Sequence, residues 1–327
     1  MSKTISCLAL SALLFALSLP AQAQQPAKVP RIAYLGATSL TANAARVEAF
    51  RQGLRELGYV EGKNIVIELR SAEGEQDRLP ALVAELIRLK IDIIVSGGPS
   101  VTRAAKAATT TIPIVMGNDG DPVGTGFVAS LARPGGNITG LSALAPELSG
   151  KRLEILKEIV PKLSRLAVLG NSKDPANAPN LQEVELAAKA FKVRLQYLDV
   201  LNSKDIETAF RAAANERADA VIALPSLVLN SHRAQVLELA VKNRLPAAYP
   251  YAEFVQEGGL MIYAVSVTDL FRRAATYVDK ILKGRTPADL PVEQPIKFEF
   301  IITLKAAKQI GLTIPPNVLV RADRVIR

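Results

Sequence analysis

Short apolar runs alternate with amphipathic stretches through the first part of the chain. The first run, Arg31–Gly36, is apolar along nearly its whole length and ends on glycine. Val47, Phe50 and Leu54 follow it at spacings of three and four, which is typical of one helix face, and Gly58 ends that helix. Three further runs are predicted as strands: Asn64–Leu69, Ile91–Ser96 and Ile112–Gly117. Apolar strands that alternate with amphipathic helices predict a parallel sheet covered on both faces.

The same pattern starts again in the second half of the chain. Arg165–Gly170 resembles Arg31–Gly36, and Asp219–Ile222 resembles Asp92–Val95, at offsets of 134 and 127 residues. Two similar α/β halves of this length predict a two-lobed protein. The small residues around Gly140–Pro146 are predicted to join the halves and to act as a hinge.

The C-terminal part is predicted to return to the first half before it ends in the second. A helix ending at Gly284 is followed by an extended proline-containing segment, a strand at Lys297–Thr303 and a short helix at Leu304–Ile310. We therefore expect lobes that are discontinuous in sequence. The N-terminal lobe would comprise residues 30–142 and about 267–294, and the C-terminal lobe residues 146–265 and about 296–327.

The first 23 residues are predicted to be a secretory signal peptide. Lys3 precedes the apolar run Leu8–Leu19, Pro20 breaks it, and the small residues of Ala21-Gln22-Ala23 suit cleavage after Ala23. A run of about twelve residues is short for a bilayer-spanning helix, although an uncleaved anchor or a buried helix is the alternative. We expect a periplasmic protein without cysteine, because Cys7 would leave with the leader.

Composition excludes several kinds of chemistry. The 327 residues include one Cys, one His and no Trp, so most thiol, zinc and triad sites lack their residues. The net charge of +9 comes without a basic run that has interleaved aromatic residues, so we predict no nucleic-acid partner. Attraction to acidic ligands or anionic surfaces and a merely solvated basic surface both fit this charge. We expect a monomer.

Ligands of open parallel sheets bind beyond the carboxyl ends of the strands, so the loops there supply the candidate site. Hydroxyl groups and helix starts suit a carboxylate, acidic side chains suit an ammonium group, and tyrosine rings suit an apolar ligand. The predicted ligand-binding residues are Thr38, Ser39, Gly98, Ser100, Asn118, Asp119, Asn171, Ser226, Tyr249, Tyr251 and Glu253. Taken singly, the serines also fit helix caps and Tyr249 also fits the core.

The more specific sequence motifs do not indicate a nucleotide, metal or catalytic site. Gly124–Ala129 matches G-x-G-x-x-A but lies too far past its strand for a dinucleotide site. Asp119 and Asp121 lack the other ligands of a calcium loop, and His232 has no partner for a metal. We predict no catalytic residue, metal or cofactor, and no enzyme.

Three segments carry a resemblance to a known family. They are Gly58–Asn64, Asp121–Gly140 with its Arg-Pro-Gly-Gly-Asn run at residues 133–137, and Glu257–Leu260. Over Arg31 to Ile326 the chain resembles ABC transporter substrate-binding proteins often described as tryptophan/tyrosine transport components. The resemblance implies two Rossmann-like lobes with parallel sheets, in the architecture of type 1 periplasmic binding proteins, and a ligand cleft between them.

The resemblance also implies capture of a small solute, an aromatic or other amino acid, and its delivery to a membrane permease with a cytoplasmic ATPase. We hypothesise hinge closure, in which the first lobe holds the polar head of the ligand and the second closes over it. Glu253 or Asp119 would receive an ammonium group. A ligand-binding sensor subunit for a membrane receptor and an exported enzyme are the alternatives.

Overall fold

The computed structural model describes residues 28–174 and 176–327. The predicted leader and its cleavage site after Ala23 lie outside these residues. Among the helices described, none is both long enough and apolar enough to cross a bilayer.

The first sheet has five strands, all parallel, in the order β2-β1-β3-β4-β5. Its strands are β1 (Arg31–Gly36), β2 (Val66–Ser71), β3 (Ile93–Ser96), β4 (Ile114–Asp119) and β5 (Ile138–Ser142). The helices between them are α1 (Ala44–Glu56), α2 (Leu79–Arg88) and α3 (Pro99–Ala108). Apolar side chains from both faces of the sheet enter two separate clusters of buried residues, as expected of a sheet covered on both sides.

The second sheet has seven strands in the order β12-β11-β10-β9-β8-β6-β7. These are β6 (Arg165–Gly170), β7 (Arg194–Asp199), β8 (Ala220–Ala223), β9 (Ala247–Tyr249), β10 (Met261–Val265), β11 (Phe298–Thr303) and β12 (Arg324–Ile326). Strand β11 is antiparallel to β10, and the other pairings are parallel. Five of its strands, in the order β7-β6-β8-β9-β10, repeat the topology of the first sheet, which is the structural form of the internal repeat.

Nine further helices complete the described part of the chain. They are α4 (Ala145–Ile159), α5 (Asn177–Ala190), α6 (Ser203–Asn215), α7 (Leu227–Ser231), α8 (Arg233–Lys242), α9 (Ala252–Gln256), α10 (Val267–Leu282), α11 (Leu304–Gln309) and α12 (Pro316–Arg321). Single 3-10 turns lie at Gln76–Arg78 and Pro287–Asp289. The α/β class and the two parallel-dominated sheets confirm the predicted fold class.

The fifth strand of the first sheet was missed by the sequence pattern. Ile138–Ser142 pairs with β4, where the sequence predicted the start of a joining segment. Gly140 interrupts the apolar run, but the sheet requires it: its φ is 131°, and a Cβ there would overlap the backbone of Met116 on the neighbouring strand. Strand β4 also continues two residues beyond the predicted end, because Asn118 and Asp119 remain extended and buried.

Helix α10 follows β10 of the second sheet but packs on the first. Leu270, Phe271 and Val278 lie in the same buried cluster as Ile32 and Phe50. After the helix, Thr139 Oγ1 donates to the Leu290 carbonyl at 2.6 Å and Leu141 bridges to Glu293. The chain then enters β11 of the second sheet, so it passes between the two sheets three times.

The close contact between α1 and α10 depends on Gly53. A Cβ at this position would overlap the carbonyl oxygen of Arg272 and lie 2.8 Å from the Cβ of Ala275. The absence of a side chain therefore lets the two helix backbones approach each other.

A buried polar chain holds the carboxyl edge of the first sheet together. Ser96 Oγ lies 2.6 Å from Thr102 Oγ1, which donates to Asp119 Oδ2 at 2.9 Å. Ser96 Oγ also donates to the Gly98 carbonyl. The chain links β3, α3 and β4, and so fixes the loops that follow β3 and β4. Burial raises the pKa of Asp119 to about 7, against smaller lowering effects from Thr102 and Arg103.

Gly53→Ala should lower the free energy of unfolding, although alanine favours helices. Helix propensity alone would stabilise by about 1 kcal/mol. Overlap with a backbone oxygen should outweigh this, with a net loss of about 1–3 kcal/mol in chemical denaturation. Gly136→Ala is the matched control, because nothing lies within 4 Å of its added Cβ. Stabilisation by Gly53→Ala would contradict the packing described.

Asp119→Asn should change the pH dependence of stability. Between pH 4 and 7 the folded protein keeps a proton on Asp119 that the unfolded chain releases, so stability falls as the pH rises to about 7. This loss amounts to roughly 4 kcal/mol at most. Asp119→Asn should flatten this part of the profile, measured by urea denaturation from pH 4 to 8. The exposed Asp77→Asn should retain the wild-type profile; an unchanged slope in Asp119→Asn would contradict the assignment.

Candidate functional site

A cavity lies where the carboxyl edges of the two sheets face each other. Its walls come from the loops after β1, β3 and β4 on one side and from α4 and the loops after β6, β8 and β9 on the other. About 120 Å³ is open to the centre of a water-sized sphere. This is several times the space that one water molecule needs, so the cavity can hold a small organic molecule.

Six of the eleven predicted residues line this cavity. They are Thr38, Gly98, Ser100, Asn118, Ser226 and Tyr251. The first four come from the first sheet and the last two from the second, so the structure brings together loops that are far apart in the sequence.

Local contacts fix the polar groups of the first wall. Asn43 Nδ2 donates to Thr38 Oγ1 at 2.8 Å and to its carbonyl at 3.0 Å, which holds the loop after β1. Gly98 precedes α3 with φ 154° and ψ 179°, a backbone region used almost only by glycine. The sequence therefore places glycine where the chain turns from β3 into the wall of the cavity.

On the second wall, Ser226 also has the capping role that was the alternative in the sequence. Its Oγ accepts the N–H of Leu229 at the start of α7, at 3.4 Å. Tyr251 immediately precedes α9 and is half-buried in the cavity wall.

The other five predicted residues do not line the cavity. Ser39 caps a turn by accepting the Ala42 N–H, and Asn171 Oδ1 accepts the N–H of Lys173. Tyr249 was predicted as a ligand contact, but its side chain lies in the core and its ring stacks on Phe254 with centroids 4.7 Å apart.

The two acidic residues predicted to receive an ammonium group are both engaged elsewhere. Asp119 is fully buried behind the wall and is bound by Thr102. Glu253 accepts a hydrogen bond from Arg46 Nη2 at 2.7 Å. In both cases the carboxylate is turned toward a partner within the protein and away from the cavity.

Arg46 is a cavity residue that the sequence analysis missed. It lies in α1 on the first sheet, whereas its partner Glu253 lies in α9 on the second, and its guanidinium stands 5.8 Å from the centroid of the Tyr251 ring. Burial raises the pKa of Glu253, but the charge and hydrogen bond of Arg46, a backbone hydrogen bond and the charge of Arg233 together outweigh it, so the pKa lies below its usual value. An ionised pair therefore joins the two halves beside the cavity.

Arg152 is a second cavity residue that the analysis missed. It lies in α4 and is 2% exposed. Its Nε donates to the Tyr263 carbonyl at 3.0 Å and its Nη1 to Ser149 Oγ at 3.2 Å. Among residues 28–174 and 176–327, no carboxylate lies within ion-pair distance of it. Burial lowers its pKa to about 10, which leaves it charged at neutral pH.

A signal for Arg152 was present in the sequence. Leu148, Arg152, Ile155 and Ile159 follow one another at spacings of four, three and four, so the arginine occupies the apolar face of a helix. A charged residue at such a position has either a buried partner or a ligand. Arg152 was missed because the site was predicted only from the loops that follow the strands, whereas this residue lies inside a helix.

The sequence matches a family model over nearly all of the described chain. The model is described as "ABC transporter substrate binding protein", and the match covers residues 32–326. A curated relative from Clostridioides difficile, named "Tyrosine-binding protein", is 26% identical over 262 residues, which cover 79% of this chain and 75% of the relative.

Solved structures share the fold. A conserved domain protein from Vibrio cholerae is 30% identical with a TM-score of 0.85, over 91% of this chain and 100% of the other. A protein from Streptococcus pneumonia, whose structure is a complex with L-Trp, is 24% identical with a TM-score of 0.85, over 91% and 99% of the two chains. Together with the family match, these findings confirm the resemblance seen in the sequence: the chain belongs to the ABC transporter substrate binding protein family.

Proposed function

We propose that this protein captures an aromatic amino acid between its two lobes and delivers it to an ABC permease that works with a cytoplasmic ATPase. The observation that carries the proposal is the cavity, whose walls come from both sheets of a substrate-binding protein. A tyrosine-binding relative and a structural neighbour in complex with L-Trp support the choice of ligand class.

The composition of the cavity supports a ligand with a polar head and an apolar body. Hydroxyl and amide groups of Thr38, Ser100 and Asn118 lie on the first wall. The Tyr251 ring and the apolar side chains of Leu148, Leu227, Val265 and Pro99 offer a surface for an aromatic side chain.

The wider organisation is part of the same proposal. The first lobe would comprise residues 30–142 and about 267–294, and the second residues 146–265 and about 296–327. We infer a monomer that works in the periplasm after cleavage following Ala23, with no nucleic-acid partner and no catalytic activity of its own.

Closure of the lobes on the ligand would be favoured by the pair of Arg46 and Glu253. The two side chains belong to helices that pack on different sheets, so an opening motion would separate them and return both charges to water. A ligand shifts the lobes toward the closed form only if it binds that form better. Ligand contacts from both walls would meet this condition.

The first test is binding of amino acids to residues 24–327, after unfolding and refolding to remove any carried-over ligand. L-Tyr, L-Trp or L-Phe at 100 times its dissociation constant should stabilise by about 2.7 kcal/mol. The expected rise in melting temperature is about 5–10 °C. Tyr251→Ala should weaken binding at least tenfold in calorimetry. Aliphatic, acidic and basic amino acids serve as controls, and a shift with none of the aromatic ones would contradict the proposal.

Glu253→Gln should open the unliganded protein. The closed form would retain Arg46 buried without its partner, which costs several kcal/mol, whereas the open form would expose it to water. We expect a larger radius of gyration in small-angle scattering and roughly 3- to 30-fold weaker ligand binding. Glu257→Gln is the matched control, because its partner Arg233 lies in α8 on the same sheet, with Nη2 2.5 Å from Oε1. Equal effects of the two substitutions would argue against a closure pair.

A further inference from the structure

The cavity contains two opposite charges that form no ion pair with each other or with another described residue. Arg152 and Asp174 both line it, and neither has an ion-pair partner within 4.0 Å in the described parts of the chain. Arg46, the other charged residue of the lining, is already paired with Glu253. The two free charges therefore remain for a ligand.

We propose that Arg152 binds the α-carboxylate of the ligand and that Asp174 binds its ammonium group, so that the second lobe holds the charged head of an amino acid. This inference rests on the proposed function and assigns the orientation of the ligand within it. It reverses the expectation from sequence, in which the first lobe held that head through Thr38, Ser39, Ser100 and Asn118 and in which Glu253 or Asp119 received the ammonium group.

Arg152 is a buried guanidinium without a carboxylate partner among the described residues. Such a group is costly, because its charge has lost water and gained no opposite charge. Here the protein supplies only a carbonyl oxygen from Tyr263 and a hydroxyl from Ser149, which are dipoles and carry no net charge. The third nitrogen, Nη2, makes no hydrogen bond to any described residue. A carboxylate in the cavity would complete the shell and match the fork of the guanidinium.

Asp174 is the carboxylate that is proposed to bind the ammonium group. It lies in the loop between β6 and α5, and it is the only acidic side chain among the described residues of the lining. One carboxylate oxygen, Oδ1, accepts the N–H of Ala176 at 3.0 Å. With Glu253 bound to Arg46 and Asp119 buried behind the wall, Asp174 is the carboxylate that faces the cavity.

Both Arg152 and Asp174 act on the hydroxyl of Tyr251, as the pair of Arg46 and Glu253 does. Burial raises the pKa of this hydroxyl; Arg46 and Arg152 lower it, whereas Glu253 and Asp174 raise it. A cation and an anion near one hydroxyl offer complementary charges to a zwitterion. The aromatic ring of the ligand then packs on the apolar side chains of Leu148, Leu227, Val265 and Pro99.

Matched ligands test the two contacts separately by calorimetry. The probes are L-tyrosine and L-tryptophan, the amide of each, and the corresponding acid without the amino group. For the wild type we expect the amide and the deaminated acid each to bind roughly 10- to 100-fold more weakly than the amino acid, as for lost hydrogen bonds to charged groups. Arg152→Met should bind the amino acid roughly 10- to 100-fold more weakly than the wild type does, so that it no longer prefers the amino acid to its amide. Asp174→Asn should no longer prefer the amino acid to the deaminated acid, but should still prefer the amino acid to its amide.

The stability of the unliganded variants separates a ligand contact from a structural role. Arg152→Met removes an uncompensated buried charge, so its melting temperature without ligand should equal or exceed that of the wild type. Arg70→Met is the matched control, because Arg70 is paired with Glu85 at 2.9 Å on β2, away from the cavity. It should melt at a lower temperature and retain the full preference for the carboxylate.

Each remaining outcome has one meaning. If Arg152→Met retains the preference for the amino acid over its amide, or melts several degrees lower than the wild type, the assignment of Arg152 is wrong and the proposed function stands. If an amide binds the wild type as well as the amino acid, the orientation is wrong. If no aromatic amino acid binds the wild type, the proposed function and this inference both fail.

Discussion

Parallel strand pairing is the constraint from which the site follows. Parallel strands place every strand-to-helix loop at one edge of a sheet. Both sheets of this protein share the order 2-1-3-4-5 over their common strands, so each has such an edge, and the two edges face each other. Short polar loops with little sequence in common thus become the walls of one cavity. The loops supply the polar groups of the cavity, and the order of the strands determines which loops lie next to each other.

The two walls of the cavity differ in the charges they carry. The first wall offers mainly neutral hydroxyl and amide groups, and its one charged residue, Arg46, is neutralised by Glu253 of the opposite half. The second wall contains Arg152 and Asp174, which have no oppositely charged partner among the described residues. In a site of low polarity, unpaired charges are costly while the site is empty and bind strongly once it is filled. Affinity for the charged head of the ligand would then come from Arg152 and Asp174, and closure would be favoured by the pair of Arg46 and Glu253.

The sequence predicted the elements whose signal is local. Strands β1 and β6 are uninterrupted apolar runs that end on glycine, and their bounds were predicted to the residue. Strand β5 was not predicted, because Gly140 interrupts its apolar run. Glycine is needed there because the backbone of Met116 comes close, and this contact is visible only in the three-dimensional structure. A pattern of apolar residues reports burial along one element and carries no information about a neighbour.

The residues of the candidate site were also predicted only in part. Tyr249 is the last residue of β9 and Tyr251 follows two residues later, yet Tyr251 faces the cavity and Tyr249 stacks on Phe254 in the core. Asn118 and Asp119 alternate across β4, so one lines the cavity and the next lies behind it. The loops beyond the carboxyl ends of the strands were predicted, but the direction of each side chain depends on register and packing. Arg152 was missed because it lies inside a helix and not in one of these loops.

The packing of α10 on α1 also constrains the order in which the protein can form. Leu270, Phe271 and Val278 cover a face of the first sheet that residues before β5 leave open. During synthesis, α1 is available early, but the part of this face that α10 covers stays exposed until the chain has been made to residue 282. The last layer of the first sheet is therefore added after most of the second half has been made.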